Sequence, residues 1–436
     1  MELLIYTREI TPRVEYIFRF IFKDILRLRY RVTTSITEAQ SYGGSVLSYS
    51  HQHIGNSVQI VPHGLLTEEG IKHHSFEVVD WNGMPAFPLT SPNSQIPFDI
   101  FTASFYLVSR YEEYTVSKSS LDKHIRYKHQ MSLAYNNNFL HLPVIDLWAY
   151  RLLDILKSHN YSLTVKPRRF NYITTVDLDS AYAFKHKGLL RVTFAAFKSL
   201  LSNGKPHFLQ RFRVVLGLAP DPFDIYDDLI QILPESPQTV WFIHTGKWGK
   251  YDKSIPVTKP AIKTLINRLG EKFRIGIHPS YGAFLNEKKI RKEVSVLVDA
   301  LNLYVACSRQ HFLRLSLPKT YRMLIKLGIT EDYTMGYSDI SGFRAGTCTP
   351  FVFFDLPAEQ MLNLKVFPFQ VMDSTFVGNN LAPSIARDEI FRMVDSVRIV
   401  NGTFISIWHI DYLSGYGYSA GWLSAIKEML NYLNRE

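Results

Sequence analysis

The sequence predicts an α/β fold, in which an incomplete (β/α)7-type barrel follows a smaller α+β N-terminal domain. Three observations support this prediction. The chain has 436 residues, which is too long for one ordinary hydrophobic core. From Tyr172 onward, short apolar strands alternate with helical stretches, as they do in parallel βαβ units. Several of these strands end in ionisable residues, at the end where α/β folds hold their functional groups.

The composition favours a folded protein in a reducing compartment. Hydrophobic residues make up 46% and aromatic residues 14% of the chain, which is enough to fill two cores. No apolar run reaches the roughly 18 residues of a membrane span, and the N-terminus lacks the basic-then-apolar pattern of a signal peptide. The two cysteines, Cys307 and Cys348, lack the spacing of a metal-binding pair. We therefore expect a cytoplasmic protein without an integral membrane segment.

The positive charge of the chain does not by itself predict a nucleic-acid partner. The formal net charge is +10, but the lysines and arginines are spread along the chain, and the densest clusters, 166–169 and 288–292, are short. No nucleic-acid recognition motif accompanies them. We interpret most of these side chains as solvated surface and expect no nucleic acid among the partners.

Residues 1–165 form the predicted N-terminal domain. Residues 3–6 indicate an opening strand, after which Thr11 and Pro12 supply a cap and a first-turn proline for a helix. Apolar residues recur at helical spacing from there to Ile25. Two further helices are predicted, at 98–114 and 143–158. The polar, basic segment 160–169 is the predicted domain boundary.

Residues 170–436 form the predicted barrel. Its strands are predicted at 172–176, 239–244, 273–278, 312–315, 366–371 and 403–409. The helices between them are predicted at 226–233, 261–271, 288–306, 319–327, 385–397 and 421–433. The basic and apolar stretch 186–218 predicts a helical insertion after the first strand, which would form a lid over the mouth of the barrel.

Aspartates and histidines stand at the ends of several predicted strands. Asp177 and Asp179 come directly after the first strand, and an extended backbone would point both side chains to the same side. The alternative is that either aspartate only caps a turn or a helix. His244, His278 and His409 end three later strands. Such a mixed set suits zinc or another divalent transition metal, and an open coordination position suits hydrolysis.

The order of these elements is similar to that of polysaccharide deacetylases with the NodB-homology fold, carbohydrate esterase family four. The first motif of that family reads Thr-Phe-Asp-Asp-Gly, and Thr175-Val-Asp177-Leu-Asp179 resembles the variant of a divergent branch. The resemblance covers 170–436, and the region before it looks like an uncharacterised domain that often precedes such barrels. It implies that Asp177 is the general base and Asp179 a metal ligand, although the inserted Leu178 leaves the reverse assignment open.

The second family motif supplies two histidine ligands one helical turn apart. Here His278 is kept, but Gly282 stands where the second histidine is expected. The resemblance therefore implies that another residue completes the metal site, either His311 or His244, and we expect His311. The implied cofactor is a divalent metal, with zinc expected and cobalt or nickel as alternatives.

The third family motif carries an arginine that orients the base. Either Arg309 or Arg344 fits this role, and we assign it to Arg344. The last motif supplies a histidine after a terminal apolar strand, which His409 matches. In the implied reaction a metal polarises the acetamide carbonyl, Asp177 takes a proton from water, and His409 protonates the leaving amine.

The resemblance also implies the substrate class. Tyr281 and Trp408 are candidates for stacking on a sugar ring, with packing in the core as the alternative for each. Asp373 or Asp411 is expected to orient the ring of His409. The implied function is that of a metal-dependent hydrolase that removes an N-acetyl or O-acetyl group from an amino-sugar-containing glycan or glycan precursor. The alternative, prompted by Gly282, is a non-catalytic glycan-binding or scaffold protein on the same barrel.

Overall fold

The computed structural model describes residues 2–159, 163–187, 205–418 and 420–435, without the side chains of 205–208. We refer to residues 2–159 as the N-terminal region and to residues 163–435 as the barrel region. Each region contains its own sheet.

The N-terminal region is built on a four-stranded parallel sheet. Its strands are β1 (Leu3–Thr7), β2 (Tyr30–Thr33), β3 (Val46–Tyr49) and β4 (Val58–Ile60), in the order β2-β1-β3-β4. Strands β5 (Val79–Trp81) and β6 (Met84–Ala86) form a separate antiparallel hairpin. The helices are α1 (Pro12–Phe18), α2 (Ile36–Ser41), α3 (Ile100–Val108), α4 (Leu133–Asn136) and α5 (Val144–Ser158).

The first helix begins where the sequence predicts. Thr11 caps it, because its hydroxyl accepts a hydrogen bond from the backbone N–H of Val14 at 3.1 Å, and Pro12 occupies the first turn. Beyond Phe18, however, the chain continues as a π-helix, Arg19–Ile25. The predicted apolar stripe is therefore buried along two helices of different pitch.

The barrel region is built on a nine-stranded sheet that does not close. Its strands are β7 (Asn171–Leu178), β8 (Thr239–His244), β9 (Arg274–His278), β10 (Cys307–Ser308), β11 (Glu331–Asp332), β12 (Phe351–Asp355), β13 (Gln360–Val366), β14 (Val371–Met372) and β15 (Thr403–His409). The order is β12-β13-β11-β10-β9-β8-β7-β15-β14, and only β12 is antiparallel to its neighbour. The first barrel strand therefore pairs with the last, as in a barrel, while β12 and β14 leave it open. The predicted fold class, an incomplete α/β barrel after a smaller α+β domain, is confirmed.

Helices alternate with most of these strands as predicted, but two predicted strands are wrong. The strand predicted at 366–371 covers the gap between the end of β13 and the start of β14. The helices are α6 (Lys205–Val215), α7 (Tyr226–Ile232), α8 (Pro260–Gly270), α9 (Glu287–Leu301), α10 (Lys319–Lys326), α11 (Asp373–Gly378), α12 (Pro383–Ile399), α13 (Ile410–Leu413) and α14 (Trp422–Leu433). The strand predicted at 312–315 is wrong, because a 3₁₀ turn, His311–Leu313, stands there. Phe312 and Leu313 have φ values of 59° and 54°, a left-handed conformation that no strand contains.

The predicted insertion at 186–218 is described only in part. Residues 188–204 lie outside the described residues, and α6 covers most of the stretch from 205 to 218. The lid therefore stays a prediction. Among the described residues, no helix combines the length and the apolar character needed to cross a membrane.

The two regions share one hydrophobic core. The ring of Phe354 in the barrel region lies 5.0 Å from that of Tyr16 and 5.2 Å from that of Phe105, both in the N-terminal region. A buried ion pair, Arg344–Glu113 at 2.8 Å, also joins the two regions. The division into domains at 165–170 stays a prediction.

Candidate active site

The carboxyl ends of four neighbouring strands bring the predicted site residues together. In the strand register, His409 on β15 stands beside Asp177 on β7, and His278 on β9 stands beside His244 on β8. The preceding positions in β7 and β8 are buried β-branched and aromatic residues, which hold these strands in the core. Because the strands are parallel, their polar end residues meet at one edge.

Asp179, His278 and His311 converge on one point at this edge. The Nε2 atom of His278 lies 3.2 Å from Oδ1 of Asp179, and Nε2 of His311 lies 3.6 Å from Oδ2. The three residues offer ligand atoms that all lie within 4.8 Å of one another. His311 reaches this point because the left-handed turn at Phe312 directs it inward.

Both histidines direct the same ring nitrogen toward Asp179. The Nδ1 atom of His278 lies 2.7 Å from the backbone oxygen of Arg309, and Nδ1 of His311 lies 3.1 Å from Oδ1 of Asp252. A proton on Nδ1 satisfies each of these contacts and leaves the Nε2 lone pair free to bind a cation.

This arrangement fits a divalent metal. Ligands in a tetrahedral shell with zinc-type bond lengths lie about 3.4 Å apart, close to the separations between these Nε2 atoms and the Asp179 oxygens. Oδ1 of Asp179 is buried and has no hydrogen-bond partner among the described residues. Burial lowers the pKa of His311, but Asp179 and Asp252 raise it to about 9. A cation bound between these groups would replace the proton on Nε2.

A second group of possible ligands consists of His244, Asp252 and His311. It shares His311 with the first group and holds that ring in place through Asp252. Nε2 of His244 lies 2.9 Å from Oδ1 of Asp252, and Nδ1 of His244 accepts a hydrogen bond from the backbone N–H of Gly246 at 3.1 Å. Both ring nitrogens of His244 are therefore occupied. Burial lowers the pKa of His244, which favours the neutral ring. Asp252 thus links two histidines, and no sequence signal marked it.

Asp177 lies between two histidines and an arginine. Nη1 of Arg309 donates to its Oδ1 at 3.2 Å, while Nε2 of His278 and of His409 lie 3.7 Å and 3.9 Å from Oδ2. Arg309 is fully buried, and its Nε donates to the backbone oxygen of Tyr333 at 3.2 Å. This fixed guanidinium holds the side chain of Asp177 in position.

His409 is held by the carboxylate of Asp373. Nδ1 of His409 lies 2.6 Å from Oδ1 of Asp373, and the backbone N–H of His409 donates to Oδ2 at 2.6 Å. Burial lowers the pKa of His409, but Asp373 raises it to about 10, with a smaller contribution from Asp177. Burial also raises the pKa of Asp411 to about 6. Of the two aspartates expected to orient this ring, the structure brings Asp373 into contact with it.

Three predicted site residues lie away from this cluster. Arg344 donates from Nε and Nη2 to Glu113 at 2.9 and 2.8 Å, so that the arginine in contact with Asp177 is Arg309 instead. Trp408 is 1% exposed and packs in the core, because alternate residues of a strand face opposite sides. The hydroxyl of Tyr281 contacts Nδ1 of His124 at 3.1 Å, at the edge of the site.

A cavity of about 390 Å³ opens over these residues. Asp177, Asp179, His278, His311 and His409 all line it, together with Lys123, His124 and Arg126 of the N-terminal region. Arg314 donates to the backbone oxygen of His124 at 2.9 Å, and Arg126 donates to that of Phe312 at 3.1 Å. The N-terminal region therefore forms part of the cavity wall.

Comparisons with known proteins assign no activity to the chain. Residues 3–161 match the model of a family of unknown function, DUF7033. A search of curated proteins found no match.

Several solved structures are similar to this chain, and each of the three described here covers 61% of it. A protein from Mycobacterium smegmatis described as a polysaccharide deacetylase has 16% identity and a TM-score of 0.38, over 61% of this chain and 84% of that chain. The allantoinase Puue has 11% identity and a TM-score of 0.35, over 61% and 84%. A polysaccharide deacetylase from Bacillus cereus has 11% identity and a TM-score of 0.29, over 61% and 88%. At these scores the similarities carry no conclusion about activity.

Proposed function

We propose that this chain is a metal-dependent hydrolase that removes an N-acetyl or O-acetyl group from an amino-sugar-containing glycan or glycan precursor. The observation that supports the proposal most is the convergence of Asp179, His278 and His311 on one point. Beside this point lie two further pairs, Asp177 with Arg309 and His409 with Asp373. Such a set contains a metal site, a base and an acid around one cavity.

In this proposal, Asp179, His278 and His311 hold the metal. Zinc fits one carboxylate and two imidazole ligands, and cobalt or nickel accept the same donors. When bound, the metal supplies Lewis-acid polarisation of the acyl carbonyl and of water. His278 and His311 are kept in the required tautomer by the backbone oxygen of Arg309 and by Asp252.

Asp177 acts as the general base. It faces the cavity next to the proposed ligands and accepts the proton of the attacking water. Arg309, which we prefer to Arg344 for this role, holds Asp177 in place through a hydrogen bond to its Oδ1. Because Arg309 is also bound to the Tyr333 carbonyl, it cannot follow Asp177 into another position.

His409 acts as the general acid. Its pKa of about 10 keeps it protonated at neutral pH, and Nε2, the nitrogen not bound to Asp373, faces the cavity. It therefore delivers a proton to the leaving amine or alcohol as the bond to the acyl carbon breaks. Asp373 fixes the ring orientation.

The three-residue metal set argues against the non-catalytic alternative. That alternative was prompted by Gly282, whereas His311 offers the ligand that Gly282 cannot. A cytoplasmic location and the absence of a nucleic-acid partner remain predictions from the sequence.

Metal analysis and activity together test the proposal. We expect the purified protein to contain near-stoichiometric zinc, cobalt or nickel and to release acetate from acetylated amino-sugar oligomers. Asp177→Asn should keep the metal and lose the activity. Metal-free protein that neither binds added zinc nor releases acetate would support the glycan-binding alternative.

A further inference from the structure

A second cavity, of about 560 Å³, lies at the opposite end of the barrel strands. Asn171 and Thr403, the first residues of β7 and β15, line it. Asp177 and His409 stand six residues further along these strands, which corresponds to about 20 Å. A ligand in this cavity cannot contact the candidate active site.

The cavity is strongly basic. Arg19, Lys23, Arg27, Arg168 and Lys365 line it, against the single carboxylate of Asp24. An adjoining cavity shares Lys23 and Arg27 and adds two more cations, Arg29 and Lys166, and one carboxylate, Glu2. These residues come from both the N-terminal region and the barrel region, so that folding gathers charges that are dispersed along the sequence.

Among the described residues, most of these cations make no direct ion pair, and three of them, Arg19, Lys23 and Lys365, share the charge of one carboxylate, Asp24. Arg168 is paired with Asp146 at 3.1 Å. Among the described residues, by contrast, Arg19, Lys23 and Lys365 form no ion pair, and Nε of Arg19 is buried without a hydrogen-bond partner. Like charges held close together repel one another, and a buried donor left unpaired costs free energy. A bound anion would relieve both effects.

The local backbone maintains this arrangement. Arg19 and Lys23 lie on the π-helix Arg19–Ile25, a rare conformation that is frequently found at functional sites. Arg27 comes next with a left-handed φ of 51°, and its guanidinium donates to the backbone oxygen of Pro167 at 3.1 Å. This contact ties the π-helix to the basic segment that enters the barrel.

We propose that this basic cavity binds a phosphate-bearing ligand. Cations that approach from several directions suit a tetrahedral, multiply charged oxyanion better than a planar carboxylate. The cavity is large enough for a phosphorylated small molecule or the headgroup of a phospholipid. The proposal does not depend on the proposed hydrolase activity.

Binding of inorganic phosphate and pyrophosphate, measured by titration calorimetry at an ionic strength fixed with chloride, tests this site. We expect pyrophosphate to bind more tightly than phosphate, and the Lys23→Ala/Lys365→Ala variant to lose about tenfold or more in affinity. Both lysines are exposed, so the unliganded variant should keep its melting temperature. Lys263→Ala/Lys288→Ala removes the same charge from exposed positions outside the cavity and should bind as the parent does.

Vesicles of phosphatidylcholine with and without phosphatidic acid distinguish the source of the phosphate. If the protein binds the acidic vesicles but not the neutral vesicles or the free anions, and if the cavity variant loses this binding, the ligand is a lipid headgroup. Binding to the free anions alone indicates a soluble ligand. The proposal is overturned if no probe binds, or if the cavity variant and the control variant bind equally.

Discussion

At the scale of single residues, the candidate site depends on which nitrogen of each histidine faces the cavity. His278 and His311 both use Nδ1 for a fixed hydrogen bond, to a backbone oxygen and to Asp252 respectively. His409 uses Nδ1 for Asp373. In all three histidines, Nε2 is the atom that faces the cavity. Nε2 of His278 and of His311 lies beside Asp179, as a metal ligand requires, whereas Nε2 of His409 lies beside Asp177, as suits a general acid.

We predict that Asp177→Asn lowers kcat by about 10² to 10⁴-fold, because the amide cannot take a proton from water. The amide has the same shape as the carboxylate and does not belong to the proposed metal set, so metal content should be unchanged. Acetate release and metal content measured on the same sample check this. A variant that loses its metal as well would indicate that the roles of Asp177 and Asp179 are exchanged.

Asp252→Asn should weaken metal binding by about 10 to 100-fold, because the amide no longer fixes the proton of His311 on Nδ1. His311→Ala should abolish near-stoichiometric binding altogether. Competition with a chromogenic zinc chelator measures both. His244→Gln is the matched control: it alters the other partner of Asp252 but removes no proposed ligand, and a stronger effect of this variant would favour His244 as the ligand.

Asp373→Asn should change the pH dependence of the reaction. A general acid works below its pKa and fails above it, so the alkaline loss of activity should occur near pH 10 in the parent protein. Without the carboxylate, the lowering effect of burial on the pKa of His409 is opposed only by Asp177 and Asp179, so the alkaline limb should move to lower pH. An unchanged profile of kcat/KM against pH would exclude His409 as the acid.

At the scale of elements, the loops after β8 and β9 hold the site through close contacts. A Cβ atom at Gly246 would lie 2.3 Å from Cβ of Ser280, which is not sterically possible. Ser280 is itself fixed by Glu293 on α9, which accepts hydrogen bonds from its backbone N–H and hydroxyl at 2.8 and 2.6 Å. These two loops therefore pack as one unit against a barrel helix.

Gly246→Ala should therefore separate these loops and weaken metal binding, since Gly246 also donates to His244. Thermal unfolding and zinc affinity measure the effect. Gly43→Ala is the matched control, because no atom lies within 4 Å of its Cβ position. Equal behaviour of the two variants would contradict the proposed packing.

The sequence predicted most helices of the barrel region and the strands β7, β8, β9 and β15 to within a few residues, because their apolar periodicity and capping residues are local, but it missed β12 and β13. It failed where the structure depends on residues far apart in the chain. Phe312 and Leu313 look like a strand, but adopt a left-handed turn that directs His311 inward. The β-strand alternation that points Asp177 and His409 into the site also buries Trp408, for which packing in the core was the alternative to stacking on a sugar ring.

The choice between Arg309 and Arg344 also could not be made from the sequence. Both are buried arginines in the barrel region, and only the tertiary fold shows that Glu113, from the N-terminal region, takes Arg344. Asp252 was missed because a lone aspartate in a polar loop has no distinguishing pattern.

At the scale of the whole molecule, buried ion pairs connect the two regions. Glu113 accepts from Arg344 and from Arg110, and the three side chains are almost fully buried. Burial raises the pKa of Glu113, but the two arginines lower it below its usual value. The carboxylate is therefore ionised and holds two cations of different regions together.

Glu113→Gln should destabilise the whole chain by about 3 to 5 kcal/mol, because it leaves the buried Arg344 without a counter-charge, whereas Arg110 keeps Glu112. Urea denaturation measures this. Glu287→Gln, at the exposed pair with Arg291, is the control and should have little effect. A small effect of Glu113→Gln would indicate that this ion pair contributes little to holding the two regions together.

The central claim is that Asp179, His278 and His311 hold one divalent metal. Metal content of the purified protein, set against that of the Asp179→Ala, His278→Ala and His311→Ala variants, tests it most directly. We expect near-stoichiometric metal in the parent protein and loss of metal in each variant. After removal of the metal with a chelator, added zinc should restore the metal content of the parent protein but not that of the variants. Metal retained in any one of the three variants, or no metal binding by the parent protein, would contradict the claim.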